Sequence, residues 1–394
     1  MDPAKAIRAS IDLVPSWYLA DAGTNAYDIT VNSATVTFYS LRRLTPSLVD
    51  LLQWIRTELK DLLQSVEPFP DAVGVDLRQE YFAERWLRRA APEVQWKKLF
   101  DYARGLSHRT YENAEIGFNF IIRCDAIGAV DITDGAVQKI IDPLCNTRWT
   151  YFELDTQLRL SGYDEVIWAD IADKTEYKFH PEFLHPYFTA LRDGDWSAHK
   201  TPRGDLVVMN RGGLAAARWK GRWKFYDSAT LKNSIVDIVG DYRVGANLFE
   251  IVFDLSFRRH GALLVYDPGN VMMPHIVNQE SIIASSGVPD VARQMLARTV
   301  GGIRMAAPGR GDRNKGIFLE VATLDGAVVF NDDRVLAFGA MIETHPGVGS
   351  QTGARSTAAT SAFLFGARPV KVSSDGEITF LFRSAGSNAR LEFL

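Results

Sequence analysis

Along this chain, short runs of β-branched and aromatic residues alternate with stretches of helical periodicity, and this alternation limits the fold to the mixed α and β classes. Tyr27 to Tyr39 alternates such residues with polar ones around Asn32, which predicts a hairpin. Leucines repeat at three and four residues after Thr45 and Pro46, which predicts a helix that begins there. The part of the chain up to about residue 195 contains no internal repeat and no low-complexity segment.

The length of the chain and one break in its composition predict two domains. Its 394 residues exceed what a single hydrophobic core organises, since domains average roughly 150 residues. Between Asp193 and Gly204 the composition turns to Gly, Pro, Asp and Ser, which is typical of a linker. We therefore expect a mixed α and β domain over residues 1–195 and a second domain over residues 205–394.

The second domain is expected to hold a mixed sheet flanked by helices. Residues 206–226 read as an antiparallel meander of three short strands. The predicted helices are Gly245 to Arg259, Val288 to Thr299 and Ser356 to Phe365. The predicted strands are Ala262 to Tyr266, Ile317 to Thr323, Ala327 to Asn331, Val335 to Ala340, Pro369 to Ser373 and Ile378 to Phe382.

Charge, cysteine content and the N-terminal sequence exclude several classes of protein. The net charge of -4, from 44 basic and 48 acidic residues, gives no overall attraction to nucleic acid or to an anionic membrane. Cys124 and Cys145 form no CxxC pair, which argues against a disulfide framework and structural zinc. The first residues lack the apolar stretch of a signal peptide, and no apolar run is long enough for a spanning helix. We expect a cytoplasmic protein with neither a membrane nor a nucleic acid as partner.

Two local patterns allow alternative interpretations. Aromatic and cationic residues alternate over Trp219 to Lys224, a pattern of single-strand nucleic-acid binders and also of a half-exposed hairpin; we favour the hairpin. His180 and His185 are five residues apart, which matches neither face of a helix well, and adjacent prolines break regular structure. A metal site at the two histidines is therefore not expected.

Three segments of the second half follow one another in a specific order. They are Arg259 to Val265 (RHGALLV), Leu324 to Val329 (LDGAVV) and Thr352 to Ala359 (TGARSTAA), and a hairpin with Ser373 to Glu377 (SSDGE) follows them. Together, in this order and spacing, they resemble the diadenylate cyclase domain of DNA integrity scanning proteins. The resemblance covers about residues 245 to 385.

The resemblance implies an α/β domain in which two ATP molecules, held face to face in a homodimer, react to give cyclic di-AMP. Asp325 would take the role of the carboxylate that activates the 3′-hydroxyl together with Mg or Mn. Gly326 would let the nucleotide approach the backbone, and Arg355 would donate to the triphosphate at the start of a helix. The nucleotide-binding candidates from these motifs are Gly326, Ala327, Gly353, Arg355, Ser356 and Thr357.

Departures from the family pattern change the expected activity. Ser356 and Thr357 stand where the family has His and Arg, and Leu324 replaces a further His. Two lost charge-assisted hydrogen bonds would weaken phosphate binding by about 3 to 6 kcal/mol. The pattern is similar to degenerate, DACNV-type relatives that are predicted to be nucleotide sensors. We expect a homo-oligomeric sensor of a nucleotide such as ATP, with an effector protein as partner; the alternative is an active diadenylate cyclase.

A basic, Gly-rich segment could compensate for the lost cations. Arg304, Arg310, Arg313 and Lys315 lie shortly before Asp325, and such a loop can wrap phosphates with its backbone N–H groups and side chains. We include all four among the nucleotide-binding candidates. The alternative interpretation is a solvated surface loop.

Overall fold

The computed structural model divides the chain into two compact units, Met1–Ser228 and Ala229–Leu394. The residues that it describes are 25–31, 34–40, 53–57, 75–106, 110–111, 114–145, 149–166, 179–201, 204–219, 222–226, 228–283, 291–305, 312–349, 353–384 and 387–393. Among these, the mixed α and β class predicted from the sequence is confirmed. Most of the helix predicted after Thr45 lies outside the described residues.

The first unit is built on an eight-stranded mixed sheet. The described strands of this unit are β1 (Asn25–Val31), β2 (Ala34–Ser40), β3 (Thr110–Tyr111), β4 (Ala114–Glu115), β5 (Phe118–Ile122), β6 (Val130–Asp131), β7 (Thr150–Leu154), β8 (Arg159–Glu165), β9 (Trp196–Lys200), β10 (Leu206–Asn210), β11 (Gly213–Trp219) and β12 (Arg222–Phe225). The sheet consists of β5 to β12. The strand order is β12-β11-β10-β9-β5-β7-β8-β6, while β1 and β2 form the predicted hairpin and β3 and β4 pair separately.

Among the helices of the first unit, one has a side-chain cap at its start and connects two parallel strands. The described ones are α1 (Val75–Ala90), α2 (Trp96–Leu106), α3 (Gly135–Leu144) and α4 (His185–Thr189). The Asp134 carboxylate accepts hydrogen bonds from the N–H groups of Ala136 and Val137, which caps the start of α3. Helix α3 lies in the connection between β5 and β7, and these two strands pair in parallel. A parallel pair needs such a crossover.

The boundary between the units differs from the predicted one. The segment taken as a linker contains β9, which is buried along its length and pairs with β5 on one side and β10 on the other. The meander β10 to β12 therefore continues the sheet of the first unit and does not begin the second. The division lies at Ser228, after the meander. Polar and small residues mark a linker only when their backbone is exposed, and here the sheet satisfies that backbone.

The second unit contains a six-stranded mixed sheet with helices. Its helices are α5 (Ser228–Val239), α6 (Tyr242–Arg258), α7 (Val291–Gly301), α8 (Asp312–Ala322) and α9 (Ala354–Leu364). Its strands are β13 (Ala262–Tyr266), β14 (Ala327–Phe330), β15 (Val335–Ala340), β16 (Arg368–Val372), β17 (Ile378–Ser384) and β18 (Ser387–Phe393). The order is β15-β14-β13-β16-β17-β18, with β13 and β14 parallel and every other neighbouring pair antiparallel.

One predicted strand of the second unit is a helix. The β-branched and aromatic residues of 317–323 favour a strand by propensity, but α8 extends to Ala322. Phe318, Leu319 and Ala322 are buried, at positions that a helix places on one side. Since β13 and β14 are parallel, the chain between them must cross over, and α7 and α8 lie in that connection. Tertiary topology overrides local propensity here.

A compact apolar cluster lies between the second sheet and α9. Leu263, Ala327 and Ala337 from the sheet pack in one buried cluster with Ala359 and Ala362 of the helix. Small residues on the helix let its axis come close to the strands. This packing holds α9 against the sheet near the residues with which β13 and β14 begin.

Candidate functional site

A pocket of about 880 Å³ opens on the second unit, between its sheet and the start of α9. Its floor is one register row across four strands: Ala340 pairs with Ala327, Ala327 with Leu263, and Leu263 with Lys371. Side chains in register share one face of a sheet, so these four residues face the same space. The remaining wall comes from the first turn of α9 and from the chain after β15 and β16.

The motif residues of the sequence analysis converge on this pocket. Asp325 and Gly326 precede β14, and Gly353 and the following residues begin α9. The candidates that line the pocket are Asp325, Gly326, Ala327, Gly353, Arg355, Ser356 and Thr357. Whether these residues bind a nucleotide stays a prediction.

Asp325 and Arg355 lie next to each other in the pocket lining. The Asp325 side chain is fully exposed, and its Oδ1 lies 3.6 Å from Nη2 of Arg355, which is 39% exposed. This distance is too long for a good hydrogen bond, and water screens the attraction between exposed charges. Breaking this contact therefore costs little free energy, so a ligand can replace either side chain as the partner of the other.

Gly326 is required by the protein's own backbone. Its φ is +102°, and a Cβ there would lie 2.8 Å from the carbonyl oxygen of Gly339 and 2.9 Å from the nitrogen of Ala340. The approach of a nucleotide to Gly326, which the family resemblance implies, stays a prediction. A glycine is needed here in any case, because β15 already occupies the space that a side chain would need.

The start of α9 presents hydrogen-bond donors to the pocket. Gly353 caps the helix with a φ of +93°, and its carbonyl accepts from the N–H groups of Ser356 and Thr357. The N–H groups of Ala354 and Arg355 belong to the first turn, where a helix supplies no internal acceptor. They add the positive end of the helix dipole to this wall.

Gly261, in the first of the three motifs, leaves room for the guanidinium of Arg355. A Cβ at position 261 would lie 2.5 Å from Nη1 of Arg355 and 3.3 Å from the nitrogen of Ser374. The motif around Arg259 to Val265 thus supports the third motif sterically. Sequence order alone did not indicate this contact.

Lys371 is a pocket residue that the sequence analysis missed. It lies at the centre of β16, partly buried, and its Nζ donates to Oγ of Ser356 over 3.1 Å. Val370 and Val372 on either side of it are buried. The alternating pattern of this strand could have indicated Lys371, since a lysine between two valines lies on the opposite face of the sheet from them.

The predicted phosphate-wrapping loop is placed differently. Arg304 is exposed and does not line the pocket, Arg310 lies outside the described residues, and Arg313 falls on α8. Lys315 is also on α8, with its Nζ 2.6 Å from Asp254 and 3.2 Å from Glu250 of α6. The chain is helical from Asp312 onward, so Lys315 stabilises helix packing instead of lining this pocket.

The donors in the pocket fit a divalent metal only in part. Among the described lining residues Asp325 is the single carboxylate, accompanied by hydroxyls such as those of Thr344 and Ser373. Mg is commonly held by one or two carboxylates together with substrate phosphates. Asp325 can therefore supply one ligand to a metal ion whose other ligands come mainly from the phosphates of a bound nucleotide.

Within the described ranges, the potential three-ligand metal cluster is Cys124, Asp125 and Asp195, in the first unit. Asp195 is already engaged there, since its Oδ2 lies 2.6 Å from Nη1 of Arg123. Hydrogen bonds with Asp195 and Glu153 raise the pKa of Arg123 in spite of its burial, which acts in the opposite direction. Asp195 therefore belongs to a buried ion-pair network with Arg123 and Glu153.

The aromatic residues of 219–224 and the histidine pair, which both allowed alternative interpretations, are buried in the first unit. The rings of Trp219 and Trp223 are 3% and 0% exposed, so neither offers a face to a nucleic-acid base. His180 and His185 are buried, with Nε2 of His180 2.6 Å from Nδ1 of His185. A helical face does not bring them together; the 3₁₀ turn Glu182–Leu184 between them does.

Comparisons with known proteins identify no family. No family model matches the sequence, and no curated protein matches it. Among solved structures, the chain is similar to a hypothetical membrane spanning protein from Bacillus cereus, at 18% identity over 41% of this chain and 74% of that chain, with a TM-score of 0.25. It is also similar to a double mutant of DacA from Staphylococcus aureus, at 19% identity over 40% of this chain and 89% of that chain, with a TM-score of 0.22.

None of the described helices combines the length and the apolar character that crossing a lipid bilayer requires.

Proposed function

We propose that the unit of residues 229–394 binds a nucleotide or cyclic nucleotide and acts as a regulatory sensor. The observation that carries this proposal is the convergence of all three motifs on one pocket, where Arg355 and Lys371 supply cations and the first turn of α9 supplies N–H donors. Anionic phosphate is the ligand group that such donors favour.

The size and surface of the pocket support a ligand with an apolar part. Its volume of about 880 Å³ is within the range of small-molecule sites. Leu263, Ala327 and Ala340 form an apolar floor on which a base or sugar could lie. A bound nucleotide would then regulate an effector protein, and a homodimer or larger homo-oligomer is the expected assembly.

The second candidate function is synthesis of cyclic di-AMP from two ATP molecules. The exposed Asp325 carboxylate at the pocket favours it, because a group that activates a hydroxyl must reach the substrate. Mg or Mn, when bound with ATP, would supply a Lewis acid. Asp325 would then hold the metal and accept the hydroxyl proton, while Arg355 would orient the phosphates. This activity also requires a dimer that sets two pockets face to face.

Thermal unfolding with ligand tests the sensor proposal. ATP, the other triphosphates and cyclic di-AMP are added to purified protein, and a ligand at a hundred times its Kd should stabilise the folded state by about 2.7 kcal/mol. Arg355→Ala should raise the Kd about 10- to 100-fold, because it removes a charge-assisted hydrogen bond. Arg334→Ala is the matched control, since Arg334 is exposed and lies outside the pocket lining.

Product analysis separates the two candidates. The protein is incubated with ATP and Mg or Mn, and the products are separated by mass, beside an Asp325→Asn variant. A cyclic dinucleotide that disappears in the variant would establish the enzyme and overturn the sensor as the primary function. Binding without product supports the sensor. If no nucleotide stabilises the protein and no product forms, both proposals are wrong.

A further inference from the structure

Lys371 differs from the other described cations around this site in having no acidic partner. Arg355 faces Asp325, and Lys315 is paired with Glu250 and Asp254. Among the described residues, no carboxylate lies within ion-pair distance of Lys371, and its Nζ contacts only the hydroxyl of Ser356. A ligand anion that approaches Lys371 therefore does not have to displace a carboxylate among the described residues.

The surroundings of Lys371 strengthen its attraction for an anion. The side chain is partly buried and lies in register with Leu263, and Ala327 follows on the far side of Leu263 in the same row. Charges attract more strongly where apolar surface replaces water. The lysine cannot move away easily, because both neighbouring strands hold β16 by backbone pairing.

Ser356 completes a two-point site. Its Oγ accepts the hydrogen bond from Lys371, which leaves its own O–H able to donate. A phosphate oxygen beside this pair could accept from the ammonium group and the hydroxyl together. Both groups line the same pocket.

We infer that Lys371, oriented by Ser356, binds a phosphate group of the ligand and contributes to phosphate affinity in this pocket as much as Arg355 does. This inference rests on the proposed nucleotide site, and Lys371 lies outside the motifs that carry the family resemblance. Phosphates would accordingly lie toward β16, away from the predicted basic segment at residues 304–315.

Calorimetric titration of three variants tests the inference. Lys371→Met should raise the Kd for ATP and AMP about 10- to 100-fold and leave the Kd for adenosine unchanged, since adenosine has no phosphate. Lys371→Arg should recover part of the affinity, because the positive charge is kept. Lys232→Met is the matched control, since Lys232 lies over the ring of Tyr242 and outside the pocket.

The inference and the proposed function fail in different ways. If ATP binds and Arg355→Ala weakens it while Lys371→Met does not, the inference is wrong and the nucleotide site stands. If nucleotides do not bind but inorganic tripolyphosphate does, with the same dependence on Lys371, the proposed function is wrong and the inference stands. If neither probe binds, both are overturned.

A measurement on the unmodified protein covers the case in which Lys371→Met fails to fold. Lysines are labelled with an amine-reactive reagent, with and without saturating ATP or tripolyphosphate, and the labelling of each lysine is read by mass spectrometry. Lys371 should be protected several-fold by either ligand, and Lys232 should not. Equal labelling of Lys371 with and without a ligand that binds would overturn the inference.

Discussion

Replacing Gly326 by alanine should destabilise the second unit much more than the same change at Gly339. Both glycines have positive φ, +102° and +65°, so both variants lose about 1 to 2 kcal/mol from backbone strain. A Cβ at position 326 would clash with neighbouring backbone, at 2.8 Å from the Gly339 oxygen, whereas a Cβ at position 339 would make an ordinary contact with the Asp325 oxygen at 3.4 Å. Overpacking of this kind costs about 1 to 3 kcal/mol more.

The surroundings of Gly339 prevent an easy escape from this clash. The amide of Asn278 donates to the Gly339 carbonyl over 2.9 Å, and the Asn278 side-chain oxygen accepts from the N–H of Met341 over 2.7 Å. Strand β15 is therefore held on both sides of the contact. We expect a total loss of about 2 to 5 kcal/mol for Gly326→Ala and about 1 to 2 kcal/mol for Gly339→Ala.

The assay must report on each unit separately. All nine tryptophans lie within Met1–Ser228, so tryptophan fluorescence reports the unfolding of the first unit only. Urea unfolding is followed by fluorescence and, for peptides that cover β13 and β14, by hydrogen exchange with mass spectrometry. Gly326→Ala should lower the urea midpoint of those peptides and leave the fluorescence midpoint of the first unit in place. An equal effect of the two substitutions would refute the steric argument.

Two further predictions concern buried ionisable groups. Lys315→Met should destabilise the second unit by about 3 to 5 kcal/mol without changing the Kd for nucleotide, because it leaves the Asp254 carboxylate, 2% exposed, without its cation. The double variant with Asp254→Asn should recover part of the loss in a urea titration, and a large rise in Kd would contradict this assignment of Lys315. Burial lowers the pKa of His199 to about 3 from 6.5, so the unfolded chain takes up a proton between these values and the folded unit does not. The first unit should therefore lose about 2 kcal/mol of stability as the pH falls from about 7.5 to about 5, and His199→Gln should reduce that loss in fluorescence-detected unfolding; an unchanged pH dependence would contradict it.

Predictions from sequence succeeded where the signal is local. The hairpin of β1 and β2, the helices α6 and α9 and the strands β13 to β17 follow from side-chain period, caps and turn residues. They failed where a distant partner decides. The segment 317–323 has the propensity of a strand but forms the crossover helix α8, and the segment 193–204 has the composition of a linker but holds the buried strand β9.

Most helices and strands, and the short motifs that carry chemistry, depend on neighbours a few residues apart and can therefore be predicted from the sequence. Which of those residues come into contact is set by the packing of the whole unit. Lys371 joins Ser356 through the packing of β16 under α9, and Lys315 is directed to Asp254 by the packing of α8 on α6. Gly326 is fixed by the pairing of β14 with β15. Such contacts depend on strand order and register across the whole unit, which no local pattern specifies.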